Sequence, residues 1–514
     1  MAMTLGNWLR QGATTYPHKI ALIDTTQTWS YSELDVITDR LAKALMTFGL
    51  RPGDRVAFLL PNCPELVFLY FACFKLGAIA VPLNVRLKGG ELAYILNHAQ
   101  ARLCISHADL FGELQIVQAE LTQIEQFYLV GDVRCDGVAQ PFSTLLQLTT
   151  EDSVLPEVRS DAIAAILYTS GTTARPKGVT HSHQTLTHTV RNHIAAIQLS
   201  PTDIVGGMLP MAHIFGFALQ LLEPLSIGAS LVLLPRFDPT LVLEAVQSQR
   251  VTCLLGLPVM FNALVNAPNA SAYDVSSLRF CLGGGDAIPP VLNQQMHQQF
   301  GVEIYQGCGM TEVIPYTMNR PTCPNQVGSI GPASEGMSLR LVNQLGQEVA
   351  QGQVGEIWVQ SQAIMLGYWH DDPATRQVLR EGWLLTGDLA WQDEAGYYWF
   401  VGRSKEMIIR GGSNISPLEV ESVLYEHPAV REAAVVGIPD PDWGERVAAF
   451  VALKAGETIH GEDLIAFIAE RLAAYKVPER ITYLADLPKG LTGKIHRKTL
   501  KDLAIASSIV PLTR

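Results

Sequence analysis

The sequence predicts an α/β protein with a large N-terminal domain, made of two doubly wound α/β units and a small β-barrel-like unit, followed by a small α+β C-terminal domain. Three observations carry this expectation. At 514 residues the chain exceeds a single core, because hydrophobic cores stop growing at roughly 250 to 300 residues. With 48% hydrophobic residues, 17% charged residues and 42 glycines, it has the composition of a globular chain that buries a large core. Helix-length periodic segments also alternate with short apolar runs, the pattern of strands and crossover helices in a parallel sheet.

The first series reads as a helix over 31–48, a strand over 55–60, a helix over 65–76 and a strand over 78–82. Residues 66–74 are apolar, but Lys75 interrupts them well short of the 18 or more residues a membrane span needs, so this is a core helix with no transmembrane segment. The second series starts at Asp161 and places short strands at 204–209, 230–234, 253–257 and 279–282. Between Gly328 and Tyr398 the pattern changes to short strands broken by Gly346, Gly352, Gly367 and Gly396, as in a small antiparallel unit. Helices near 417–426 and 461–472 then belong to the α+β tail. The domain boundary is placed at Lys405, giving domains 1–404 and 405–514.

A net charge of −12 disfavours nucleic acid as the main partner, since phosphate backbones are bound by clustered cations. One local exception is the basic cluster Lys489, Lys494, Arg497, Lys498 and Lys501, which faces either solvent or an anion. The eight cysteines are scattered, with no Cys-x-x-Cys pair and no histidine spacing suited to zinc, so reduced and mostly buried thiols are expected. The first residues contain no apolar stretch of signal-peptide length, which makes a cytoplasmic enzyme the expectation.

The densest chemical signal is the turn that follows the apolar run 163–167. Thr169, Ser170, Thr172 and Thr173 offer hydroxyls, Gly171 permits positive φ, and Lys177 adds a cation, which together suit phosphate. The spacing differs from the common P-loop, because no hydroxyl follows the lysine. Four further motifs follow in order: Gln306-Gly-Cys-Gly-Met-Thr-Glu312; Trp383-Leu-Leu-Thr-Gly-Asp388; Gly402-Arg-Ser-Lys-Glu-Met-Ile-Ile-Arg-Gly-Gly412; and Pro488-Lys-Gly-Leu-Thr-Gly-Lys494.

In their order, and over nearly the whole chain, these five motifs resemble the adenylate-forming superfamily of acyl-CoA synthetases, nonribosomal adenylation domains and beetle luciferases. The resemblance implies a two-step reaction with ATP, Mg²⁺ and CoA. A carboxylate attacks the α-phosphate and pyrophosphate leaves, then the acyl-adenylate passes to a thiol. It also implies that the loop from Thr169 through Ser170, Gly171, Thr172 and Thr173 to Lys177 holds the β- and γ-phosphates. Thr311 would contact the α-phosphate and Glu312 would hold the metal. Asp388 would bind the ribose hydroxyls, and Arg403 the ribose or phosphate.

Gly307, Cys308, Gly309 and Met310 belong to the nucleotide site by the same resemblance. Cys308 stands where the family's usual aromatic stacks on adenine, so adenine is expected against Tyr305 and the turn Gly283, Gly284, Gly285. Lys405 occupies the hinge position of a mobile C-terminal lid, and Arg410, Gly411 and Gly412 the thiol tunnel. Lys494 would reach both carboxylate and α-phosphate. Two anions about 4 Å apart repel by about 4 kcal/mol at an effective dielectric near 20, and a lysine between them offsets this. The chain departs from the usual pattern at Ala174 and Arg175 in the first loop and at Gly490 in the last.

The segment 209–217 resembles an acyl-pocket entrance, with His213 beside the activated carboxylate. It contains no aspartate to pair with an amino-acid ammonium. Phe215, Gly216, Phe217, Leu257, Val313 and Ile314, with Gly283, Gly284 and Met310, are apolar or small, so an apolar monocarboxylic acid is expected. Phe215 and Phe217 suit stacking on an aromatic ring and Gly283 to Gly285 suit room for a long acyl tail, so the residues leave pocket depth open; a medium- or long-chain fatty acid is favoured. The alternatives are a benzoate- or cinnamate-type aromatic acid, an acyl-AMP ligase loading an acyl carrier protein, and an inactive nucleotide-binding relative. Chain length and oligomeric state are not readable.

Overall fold

A computed structural model describes residues 4–132, 137–148, 153–169, 175–490 and 494–508. The expected helices and strands form within a few residues of their sequence bounds. The helix Tyr31–Phe48 shows why. Ser30 accepts the Glu33 N–H at 3.3 Å while its own N–H donates to Glu33 Oε2 at 2.7 Å, a capping box that contributes about 1 kcal/mol. Gly49, at φ 115, ends the helix in the left-handed conformation open to glycine. The helix Pro64–Leu76 is buried from Leu66 onward, including Lys75, whose ammonium pairs with Asp35 at 2.5 Å and Asp39 at 2.7 Å. Among the described residues no helix is long and apolar enough to cross a membrane.

Two eight-stranded sheets form the bulk of the molecule. Their centres are parallel, as the alternation predicts; both edges of one sheet and one edge of the other are antiparallel, while the edge strand Ala139–Pro141 is parallel. In one sheet Lys177–Ser182, a strand the sequence reading did not assign, folds back on Ile163–Thr169. In the other, Val313–Met318 folds back on Ile304–Met310. A third sheet of five strands contains Ser338–Val342, Gly355–Gln360, Trp383–Gln392 and Tyr398–Arg403. Its ten-residue strand Trp383–Gln392 also went unassigned, because a register shift and Gly387 break its alternation.

The fourth sheet begins at Ile408–Arg410, so the chain leaves one sheet and enters another over residues 404–407. Two apolar clusters, around Ile408, Val435 and Val451 and around Phe450, Leu487 and Leu500, are built wholly from residues after this passage. The C-terminal part therefore has its own core.

Candidate active site

The site gathers where the parallel strands of the second large sheet end. Cys253–Gly256, Phe280–Gly283 and Ile304–Met310 lie side by side, Gly256 opposite Gly283 and Gly283 opposite Gln306, and they deliver Leu257, Gly284 and Thr311 to one edge. Ligands in open α/β sheets bind at this carboxyl edge. Thr311 and Glu312 form the two-residue turn between paired Met310 and Val313. Both turn carbonyls are held: His181 Nε2 donates to Thr311 O at 2.8 Å, and the Met365 N–H to Glu312 O at 2.8 Å. Burial pushes the His181 imidazole down to about 4.

Glu312 is 7% exposed and accepts the Tyr368 hydroxyl on Oε1 at 2.6 Å. Burial raises its carboxyl above the usual range. Lys177 lies with Nζ 4.8 Å from the Tyr368 ring centroid, and its cross-strand partner is Thr169. This pair closes the base of the loop. Ser170, Gly171, Thr172 and Thr173 lie outside the described residues.

Asp388 and Arg403 are register partners on adjacent strands, with Arg403 Nε 3.0 Å from Asp388 Oδ1. Tyr316 donates to Asp388 Oδ2 at 2.5 Å, and Cys308 Sγ lies 2.9 Å from the Tyr316 hydroxyl. Asp388 is 1% exposed, and Oδ1 accepts no hydrogen bond despite the nearby guanidinium. A buried carboxylate oxygen with spare acceptor capacity suits a ligand hydroxyl. The Asp388 carboxylate holds the Arg403 guanidinium above its ordinary value.

Lys494 reaches this edge from the C-terminal part. A β-carbon placed on Gly285 would stand 3.2 Å from Lys494 Cε and 3.8 Å from Nζ. Burial, then the Arg403 guanidinium, push the Lys494 amine below its ordinary value, while Asp286, Cys308 and Asp388 act in the opposite sense. His213 is lowered to about 4 by burial and by Lys494. Its Nδ1 accepts the Phe215 N–H at 3.3 Å, which leaves the proton of the neutral ring on Nε2.

Other expected residues face elsewhere. Gly283 is a packing glycine, since a β-carbon there would stand 2.2 Å from Ile288 Cδ1 and 2.8 Å from Ile304 Cγ2. A β-carbon on Gly285 would meet Leu257 Cδ2 at 2.8 Å, whereas one on Gly284 would stand 3.4 Å from Gly307 O and 3.5 Å from the Phe215 ring. Phe217 is fully buried and stacks on Tyr70 at 4.6 Å, while Gly216 lets the chain approach Pro210 O. Val313 packs with Val179, Tyr316 and Ile357, whereas Ile314 joins the cluster holding Phe215 and Leu257. Phe217, Gly216 and Val313 are therefore corrected from pocket wall to core.

Gly309 gives room to Ile314, Met310 packs on the cluster of Val313, and Tyr305 is half-buried opposite Leu282. In the C-terminal part, Gly411 and Gly412, both at positive φ, turn a tight hairpin between Arg410 and Ser413. Arg410 is held there by Tyr475 O and Glu479. Lys405 is exposed in the passage between sheets. The seven described cysteines are free thiols, and no cluster of metal-ligating side chains occurs among the described residues.

Sequence reasoning missed Tyr316, Tyr368 and His181. The only available signal was the two-residue turn at Thr311-Glu312, whose hairpin folds Tyr316 back beside Cys308.

Residues 9–369 match the family of AMP-binding enzymes, and residues 419–494 match the AMP-binding enzyme C-terminal domain. The chain is 37% identical over 496 residues to a feruloyl-CoA synthase of Amycolatopsis sp, covering 96% of this chain and 97% of that one. It is 34% identical over 510 residues to the medium-chain fatty-acid–CoA ligase of Escherichia coli (strain K12), covering 97% and 90%. Among solved structures, the anthranilate CoA ligase AuaEII in complex with anthranoyl-AMP superposes with a TM-score of 0.93 at 32% identity, covering 99% of this chain and 98% of that one. The chain belongs to the AMP-binding enzyme family, within the adenylate-forming superfamily, and is an AMP-forming acid–thiol ligase that uses ATP and CoA.

Proposed function

We propose that this ligase activates a compact aromatic monocarboxylic acid and transfers the acyl group to CoA. The observation that carries this reading is the backing of the glycine turn. Ile288 and Ile304 fill the space beside Gly283, Leu257 and Lys494 stand beside Gly285, and a β-carbon on Gly284 would lie in van der Waals contact with the Phe215 ring. Side chains packed beside Gly283 and Gly285 support the aromatic alternative over an acyl tail laid along all three glycines. A planar ring suits a wall that presents the Phe215 phenyl group beside a glycine peptide. The feruloyl-CoA and anthranilate relatives support the same class.

In the first half-reaction a carboxylate oxygen attacks the α-phosphorus and the bond to the bridging oxygen of pyrophosphate breaks. Lys494 stands between the two anions, and the neutral His213 has an Nε2 proton to donate to the reacting carboxylate. Thr311, on its doubly held turn, presents its hydroxyl to the α-phosphate. Asp388 accepts from the ribose, and Arg403 lies beside it. Lys177 and the loop before it receive the departing pyrophosphate. Glu312 fits Mg²⁺, since a buried carboxylate offers hard oxygen, and the cation when bound neutralises phosphate charge. In the second half-reaction the thiol of CoA attacks the acyl carbonyl and AMP leaves. Rotation about Lys405 brings the Arg410 to Gly412 hairpin to the site in place of Lys494.

Mass spectrometry of thioesters formed from a mixed pool of benzoates, cinnamates and fatty acids with ATP, Mg²⁺ and CoA tests substrate and acceptor together. Aryl-CoA products are expected. Predominant fatty acyl-CoA would restore the fatty-acid reading, and pyrophosphate release without any CoA thioester would point to a carrier-protein acceptor.

A further inference from the structure

We infer that Tyr316 is a positioning residue for the nucleotide, fixing the Asp388 carboxylate so that Oδ1 is presented to the ribose, with Cys308 supporting the phenol from behind. This rests on the reading that Asp388 binds the ribose. Tyr316 has one hydroxyl proton and a carboxylate only accepts, so the 2.5 Å contact is a donation from Tyr316 to Asp388 Oδ2. The Cys308 thiol must then donate to the Tyr316 oxygen across 2.9 Å. Both groups keep their protons, because burial pushes the Cys308 thiol up to about 12 and holds the Tyr316 phenol well above its ordinary value.

The result is a directed chain, thiol to phenol to carboxylate, in which each bond polarises the next. It occupies Oδ2 and leaves Oδ1 as a buried acceptor without a hydrogen bond. Residue size matters as well as polarity. With Tyr316 0% exposed and its hydroxyl against Sγ, an aromatic side chain at 308 would collide with the phenol. Small Cys308 and large Tyr316 are thus one solution, and removing either partner weakens the hold on Oδ2 and leaves the carboxylate oriented by the Arg403 ion pair at Oδ1.

The test compares acid-dependent pyrophosphate exchange with ATP, 2′-deoxy-ATP and 3′-deoxy-ATP for wild type, Tyr316→Phe, Cys308→Ala and Asp388→Asn. Losing a hydrogen bond to a buried charge should raise the KM for ATP about tenfold in Tyr316→Phe. The KM for the acid should hold, and the preference for ATP over the deoxynucleotides should fall with the ATP affinity. Cys308→Ala should move the preference the same way by less, and it decides the matter if Tyr316→Phe does not fold. An unchanged preference in these variants, or an equal KM rise for all three nucleotides, overturns the proposal. If Asp388→Asn itself keeps the preference, the ribose reading fails first.

Discussion

At the scale of single residues, Lys494 is the group whose charge, in the proposed mechanism, the first half-reaction needs and the second does not. Lys494→Ala should slow acid-dependent pyrophosphate release by about a hundred- to a thousandfold, the usual loss when one preorganised charge stabiliser is removed. Thioester formation from supplied acyl-AMP should continue, and equal loss of both steps would refute the assignment. The pH dependence follows from two opposite shifts. The Lys494 amine is lowered, so its cationic form, and with it adenylation, is lost as pH rises through a value below 10.5. The Glu312 carboxyl is raised, so its ionised form is lost as pH falls through a value above 4.5. A bell-shaped profile of pyrophosphate exchange narrower than these ordinary values is expected. Lys494→Arg, charged throughout, should lack the alkaline limb.

At the scale of elements, helix His183–Ile197 anchors the start of the chain, because the Leu5 N–H at the head of helix Leu5–Thr15 donates to His183 Nδ1 at 3.3 Å. His183 is 0% exposed with Nε2 unpartnered, and burial lowers its imidazole, like that of His181, from 6.5 to about 4. The unfolded chain therefore binds more protons than the folded one between these values. Stability falls as pH drops below 6.5, by about 2 kcal/mol for each histidine at pH 5. Urea midpoints at pH 7 and pH 5 measure this. In His183→Gln, which keeps an acceptor for Leu5, the difference between the two pH values should shrink by about 2 kcal/mol; an undiminished difference would remove His183 from the account.

The same elements show what the sequence can and cannot convey. Asp388, Arg403 and Lys494 were legible because each sits in a motif whose neighbours are unusual together, and their side chains do converge. Phe217 and Val313 were not, because the assignment turned on which way a side chain faces. Phe217 lies in the π-helix Phe215–Leu222, whose wider turn shifts residues off the faces a 3.6-residue period assigns. Val313 opens a strand with bulged pairing, where a one-residue slip exchanges the two faces. Tyr316 looked like one more strand aromatic until the hairpin set it against Cys308 and Asp388.

At the scale of the whole molecule, the placement of cores makes Lys405 the natural pivot. The clusters on either side of 404–407 share no residue, so the C-terminal part can turn without disturbing either apolar core. Its present orientation puts Lys494 beside Gly285, the arrangement the proposed adenylation step uses, and leaves the Gly411-Gly412 hairpin exposed. The proposed mechanism then takes thioester formation to follow a change of φ and ψ within the passage. Lys405→Pro fixes one of those angles and constrains Ser404 before it. Because Lys494 already stands beside Gly285, the variant should on this proposal retain acid-dependent pyrophosphate exchange while losing thioester formation from both ATP with acid and supplied acyl-AMP. Lys405→Ala, which removes the charge but leaves φ free, should keep both. If Lys405→Pro turns over normally in both half-reactions, the pivot lies elsewhere; if Lys405→Ala fails as the proline variant does, the ammonium and not the backbone is what position 405 supplies.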